Sequence, residues 1–181
     1  MNTKLPLTWI VLLGLMITIT AGALLEPKPD YPNFVVGSAH EHASLFVKIH
    51  DDPFDFSKER FQLRNAFVHL ENNNGIVIHR HSQGITMGYF FDTLNLGLTP
   101  DCFTFDDGRK FCTNNDYTLK FYINERQVDD VRDYIIFEGD YILISYGAET
   151  QEEIKKQFKE QKERGFPFQL RERNNNNLSN V

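Results

Sequence analysis

The apolar positions of this chain fall into three patterns. The first is an unbroken run: residues 5–25 contain no charge, and Lys4 is the only charge before them. At a rise of ~1.5 Å per residue, about 20 such residues cover most of a ~30 Å hydrocarbon core, so the run predicts a transmembrane or signal helix. The single positive charge at the amino end favours that end inside, with the rest of the chain exported. Two forms are open. One is a retained signal anchor, favoured by the length of the run. The other is a signal peptide cleaved at Ala23 in the small-x-small stretch Ala21-Gly22-Ala23.

The second pattern is alternation with period two, the mark of a strand with one buried face. It predicts strands over residues 44–50, 66–71, 76–81, 117–124 and 141–146, the last apolar on both faces and therefore central in its sheet. Residues 54–56 and Val128 are read as short returns, and residues 134–137 lead into a turn at Glu138-Gly139-Asp140. The third pattern has helical spacing. Ile85, Met87, Phe90, Phe91 and Leu94 predict a helix over 85–96 ended by Gly97, and Ile154 and Phe158 form a thin stripe on a charged surface helix over 148–165. Ser57 is a candidate cap for one helical turn.

Between these elements, residues 26–43 carry Pro27, Pro29 and Pro32 and read as a stiff spacer ahead of a domain at 44–147. Residues 166–181, with their asparagine run, read as disordered. Leu45, Ile49, Asp55 and Phe67 fall over Leu119, Ile123, Asp129 and Tyr141 at an offset of 74 residues, an echo that suggests one strand–turn–strand solution used twice. Tyr31, Phe34, Phe166 and Phe168 lie outside the domain and fit either chain-end packing or docking on a membrane complex.

Composition narrows the function. The chain has 181 residues with a formal charge of −6, which leaves no basic surface for nucleic acid. Its two cysteines exclude a disulfide-rich miniprotein. Cys102 and Cys112 flank Asp106-Asp107-Gly108. A three-residue loop with Gly at its left-handed position pairs Phe105 with Arg109, and counting outward sets Cys102 opposite Cys112. In an exported protein such a pair is expected to be an oxidised staple. The carboxylate pairs Asp51-Asp52, Asp106-Asp107 and Asp129-Asp130 stand at turns, where Asp hydrogen-bonds its own backbone, and no catalytic residue is assigned.

The order of hairpin, helix, strand, short strand and central strand over 66–147 resembles a β-grasp (ubiquitin-like) domain, an α+β fold with a mixed sheet and one main helix. Within that fold the stretch is similar to the sulfur-carrier proteins of thiamine and molybdopterin synthesis. The similarity rests on the helix over 85–96, Leu119-Lys-Phe-Tyr-Ile-Asn124 and Phe137-Glu-Gly-Asp-Tyr-Ile-Leu-Ile144. Those carriers end in Gly-Gly, whereas here Tyr146-Gly147-Ala148 runs on, so the resemblance implies the fold and not the chemistry. The stretches around His40-Glu-His42, Ile78-His-Arg-His81, Cys102–Cys112 and 142–147 also resemble small membrane-anchored proteins of ammonia-oxidising archaea. Those are often labelled protein-disulfide isomerases. This chain has neither Cys-x-x-Cys nor a thioredoxin-like βαβ pattern.

The histidines carry the remaining chemistry. All six precede residue 82, and His40/His42 and His79/His81 have His-x-His spacing, which on a strand puts both rings on one face. A loop at Asn73-Asn74-Gly75, with Gly in the bulge position, pairs Asn72 with Ile76 and sets His69 opposite His79. His69, His79 and His81 then share an outward face able to hold copper or zinc. His40 and His42 either complete that site or form a second one, and His50 reads as a turn residue. The expected function is a membrane-tethered extracytoplasmic binding module. The alternatives are a thiol–disulfide oxidoreductase using Cys102 and Cys112, and a structural subunit of an integral membrane complex.

Overall fold

The computed structural model describes residues 31–164. The apolar run at 5–25, the first residues of the spacer and the stretch at 166–181 lie outside the described residues. Among the described residues no helix is long and apolar enough to cross a membrane.

Among the described residues ten strands and two helices follow in order: β1 (Glu41–Ile49), β2 (Asp52–Pro53), β3 (Val68–His69), β4 (Val77–Arg80), α1 (Met87–Thr93), β5 (Gly97–Leu98), β6 (Cys102–Thr104), β7 (Lys110–Cys112), β8 (Thr118–Ile123), β9 (Arg126–Val128), β10 (Tyr141–Gly147) and α2 (Gln151–Arg164). The main sheet runs β3-β4-β1-β10-β8-β9, with β2 on β1. Only β1 and β10 pair in parallel, and every other pairing is antiparallel. The architecture is α+β. As its apolar pattern predicts, β10 is central and buried on both faces.

The two faces of the main sheet bury different things. Odd positions of β1 (Ala43, Leu45, Val47) join Ile78, Phe121, Ile142 and Ile144 in the larger core, closed by Phe90 and Phe91 of α1 and by Phe103 and Phe105 of the small β5-β6-β7 sheet. On the opposite face Phe46, Tyr122 and Leu143 receive Ile154 and Phe158 of α2. The stripe of α2 is wider than the sequence suggested, because Gln157 and Gln161 complete the i, i+3, i+4, i+7 face and are buried too. Gln161 donates to the Ser44 carbonyl and hydroxyl and to the Ile142 carbonyl. Lys48, on the same face, meets Glu160 of α2 at 2.7 Å and Asp51 at 2.9 Å. Burial works to lower the Lys48 pKa, but the hydrogen bonds and charges of these two carboxylates outweigh it and hold the ammonium above its usual range.

Cys102 pairs with Cys112 and the two are bonded, with Cα atoms 4.0 Å apart; Gly108 stands at φ 86° in the turn, and the Phe105 amide donates to the Arg109 carbonyl. The echo at 74 residues is a shared hairpin turn. His50 and Asp51 (φ 52° and 68°) join β1 to β2, and Asn124 and Glu125 (φ 51° and 67°) join β8 to β9, both as two-residue turns with two left-handed residues. The first of these turns is thus His50-Asp51, and Asp52 of the Asp51-Asp52 pair belongs to β2. Phe34 packs on Phe67 and Tyr89, which is chain-end packing.

Other readings are corrected. β1 begins at Glu41, so residues 41–43 belong to the sheet and not to the spacer; Ala43 is fully buried in it. α1 is shorter than 85–96. It is capped by the Thr86 hydroxyl and ended by left-handed Asn95, with the Leu96 amide closing on the Phe91 carbonyl, while Gly97 opens β5. Ser57 caps nothing. It donates to Asp55, and the following 3₁₀ turn, Glu59–Phe61, has Lys58 at its start. Between β3 and β4 the left-handed residues are Asn72 and Asn73, not Gly75. Gly75 is needed for close approach, since a Cβ there would stand 2.6 Å from the Ser57 nitrogen.

Candidate metal centre

β3 and β4 pair with His69 opposite His79, the register that counting from the loop implies. Alternation then places Val68 and Ile78 in the core and both imidazoles on the other face. The ladder stops there: Leu70 bridges to Gln62 instead, and Asn72 is not paired with Ile76. On its other side β4 pairs with β1, and His42 lies opposite His79. Because β1 starts early, His42 is a strand residue, 8% exposed, and not part of a loose leading segment.

Five histidines from three separate stretches of chain therefore meet in a closed ring of imidazoles. Ring centroids are 4.9 Å apart for His40 and His42, 4.7 Å for His42 and His79, 5.9 Å for His69 and His79, 4.9 Å for His69 and His81, and 5.0 Å for His81 and His40. All five candidate ligands read from the sequence are in this one cluster. His50 is not. It sits in the β1–β2 turn against Tyr117, Tyr146 and Phe111.

Two glutamates that the sequence reading passed over border the ring. Glu71 follows His69 by two residues and reaches both partners of the β3–β4 pair. One carboxylate oxygen is 3.6 Å from His69 Nε2 and the other 3.6 Å from His79 Nε2. Its i, i+2 relation to His69 was the available signal. Glu138 accepts from the His42 amide at 2.7 Å and lies 3.5 Å from His42 Nδ1. Glu41, within the same stretch, pairs with the buried Arg80, which also donates to the Ser82 carbonyl and ties the ends of β1 and β4 together.

The tautomer of His69 follows from its partner. Its Nδ1 is 2.9 Å from the Asn65 carbonyl, which can only accept, so Nδ1 carries the hydrogen. Asn65 is itself held, accepting from the Phe67 amide and donating to the Tyr89 hydroxyl. His79 is held neutral. Burial drives its pKa down to about 4; Glu71 pulls it up, and His42, His69 and His81 push it down again. Burial, and then His69 and His40, lower His81 in the same sense. Among the described residues, no three histidine, cysteine or acidic side chains converge as they stand on one point at ligand distance, so holding an ion requires rings to turn about their side-chain torsions.

The cysteines stand apart, on the small sheet, with both sulfurs in the disulfide. The turn aspartates bind backbone as expected at Asp107, which accepts from the Arg109 amide, and at Asp130, which accepts from the Arg132 amide. One buried carboxylate with a structural role was not singled out from sequence. It is Asp140, which is buried and accepts from Asn124, the Tyr134 hydroxyl and the Phe137 amide. No protein-family model, curated protein or solved structure matches this chain.

Proposed function

We propose that this chain is a membrane-tethered extracytoplasmic binding module that holds a copper or zinc ion on the histidine face of its main sheet. The observation that carries the reading is the ring of His40, His42, His69, His79 and His81, gathered from three stretches of sequence onto adjacent strands. Neutral imidazole is a ligand for both metals, and burial that disfavours imidazolium at His79 and His81 keeps those two rings ready to bind. The β-grasp reading has support in the sheet order: β1 is parallel to the last strand, β10, and each has an antiparallel neighbour on its other side, β4 and β8. The parallel partner is β1, ahead of the 66–147 stretch that carries the resemblance, and the hairpin expected to supply it, β3-β4, flanks β1 instead. The cysteine pair reads as a staple, being cross-strand in a tight hairpin and not at a helix start that would activate a thiol.

Metal analysis of the natively purified full chain is expected to find about one zinc or copper ion per molecule. In titrations of the stripped protein, His69→Ala and His79→Ala should each weaken binding by at least ~10-fold, the scale of losing a residue that matters to a metal site. His50→Ala should bind like the parent. Equal losses at all three positions would mean nonspecific surface binding and would end this reading.

A further inference from the structure

Glu71 is the group on this face that the histidine reading leaves unexplained. His69 Nδ1 is committed to the Asn65 carbonyl, so in the neutral ring the lone pair is on Nε2, and that atom faces a Glu71 oxygen at 3.6 Å. The second Glu71 oxygen faces His79 Nε2 at the same distance. In each contact the two atoms are held together by a positive charge between them, which a proton on the ring or a metal ion supplies, and a metal ion serves His69 and His79 at once. Two ligand atoms on one tetrahedral ion, each bonded at ~2.0–2.1 Å, are about 3.3–3.4 Å apart. The His69 separation is within a few tenths of an ångström of that edge; the His79 separation runs to the other carboxylate oxygen, so the carboxylate must turn for one of its oxygens to serve both rings. Glu71 is also built to be there: it follows His69 on the same face, its backbone carbonyl accepts from the Asn74 amide, and the Asn72 side chain donates to its carboxylate.

We infer that Glu71 is the carboxylate ligand of the centre, making it a two-histidine, one-carboxylate site on His69, His79 and Glu71 for a divalent ion, zinc or copper(II). This rests on the reading of the histidine face as a metal centre. Closing the site takes a swing of the two rings toward Glu71, since their centroids stand 5.9 Å apart. His81, whose ring is 4.9 Å from that of His69, is in place to be a fourth ligand. Asn65 is a positioning residue, setting which His69 nitrogen faces the ion, the usual task of a hydrogen-bond partner behind a metal-bound imidazole. Nitrogen and oxygen donors together suit zinc or copper(II).

The test is a competition titration of the metal-stripped full chain in detergent with Zn(II), and separately with Cu(II), against a chromophoric chelator. Glu71→Gln keeps the shape and removes the charge, and it should weaken binding 10- to 100-fold. Glu152→Gln, an exposed carboxylate on α2, should bind like the parent. If Glu71→Gln binds as tightly as the parent, Glu71 is not a ligand and the inference fails while the histidine reading stands. If the parent itself binds neither ion, both fail. Should Glu71→Gln not fold, the anomalous signal of a zinc-loaded crystal of the parent decides: a peak ~2.0–2.2 Å from a Glu71 oxygen supports the assignment, and a peak on imidazoles alone overturns it.

Discussion

At the scale of single residues, His79 couples the candidate centre to the stability of the fold. In an unfolded chain its ring takes a proton near pH ~6.5. In the folded protein it does so only near 4, chiefly because it is buried, with His42, His69 and His81 adding to the effect and Glu71 opposing it. Between those values the unfolded chain holds more protons than the native one, so stability rises with pH. The contribution is complete above ~6.5, shrinks as the pH falls, and is gone below about 4. His81 shifts in the same direction and adds to it. Urea midpoints of the metal-stripped protein should therefore fall between pH 7 and pH 4.5, and His79→Asn should flatten that slope. A variant that lost stability as steeply as the parent would assign the slope to other groups. That His69 and His79 share a face was readable from the alternation of the two strands, while the loop used to count their register is not the one that forms. Glu71 was readable in principle, by the same alternation, but a lone glutamate two residues from a histidine is too common a pattern to single out unaided.

At the scale of elements, the cysteine hairpin is a closed local unit. β6 and β7 face each other through Cys102–Cys112, and Phe103, Phe105 and Phe111 stack around the turn, with Phe111 touching Tyr146 of the main sheet. The bond closes a separation of 10 residues. On the chain-entropy account this stabilises by roughly 2.5–3 kcal/mol. Replacing both cysteines by Ala should lower the unfolding free energy by about 2–4 kcal/mol while leaving zinc affinity unchanged, because the bridge is on the other sheet from the histidines. Metal affinity that fell with the bridge would show that the hairpin organises the centre. α2 is the opposite kind of element. Its four buried positions were half legible, since Ile154 and Phe158 announce a stripe, whereas Gln157 and Gln161 are buried only because Asp51, Ser44 and the Ile142 carbonyl await them.

At the scale of the whole molecule, the expected topology joins the chemistry to a place. We propose that the apolar run at residues 5–25 carries the domain that follows it to the extracytoplasmic side, where a cysteine pair such as Cys102–Cys112 is oxidised. Protease added outside intact cells should cut the chain beyond residue 26, and mass spectrometry of the mature protein should find the apolar run retained. A mature start at Leu24 would show cleavage and release, and full protection of the domain would refute export.

What the sequence alone determined is whatever two near segments decide between themselves. The register of the cysteine hairpin follows from its loop and its alternation, so Cys102 opposite Cys112 was legible; His69 stands opposite His79 as counted, although the loop the count assumed, with Asn72 on Ile76 and Gly75 left-handed, is not the one that forms. Likewise the repeated turn showed as an echo, and the double burial of β10 showed as an apolar run. The tertiary structure alone decided which strands become neighbours. β1 lies between β4 and β10, partners about 35 and 100 residues away. That placement puts His42 beside His79, brings His40 to His81 and buries Arg80 on Glu41. No local count foretells it, because the order of strands in a sheet is chosen by how the whole set buries its apolar faces, and each pairing between distant segments is stabilised only when the others are already in place.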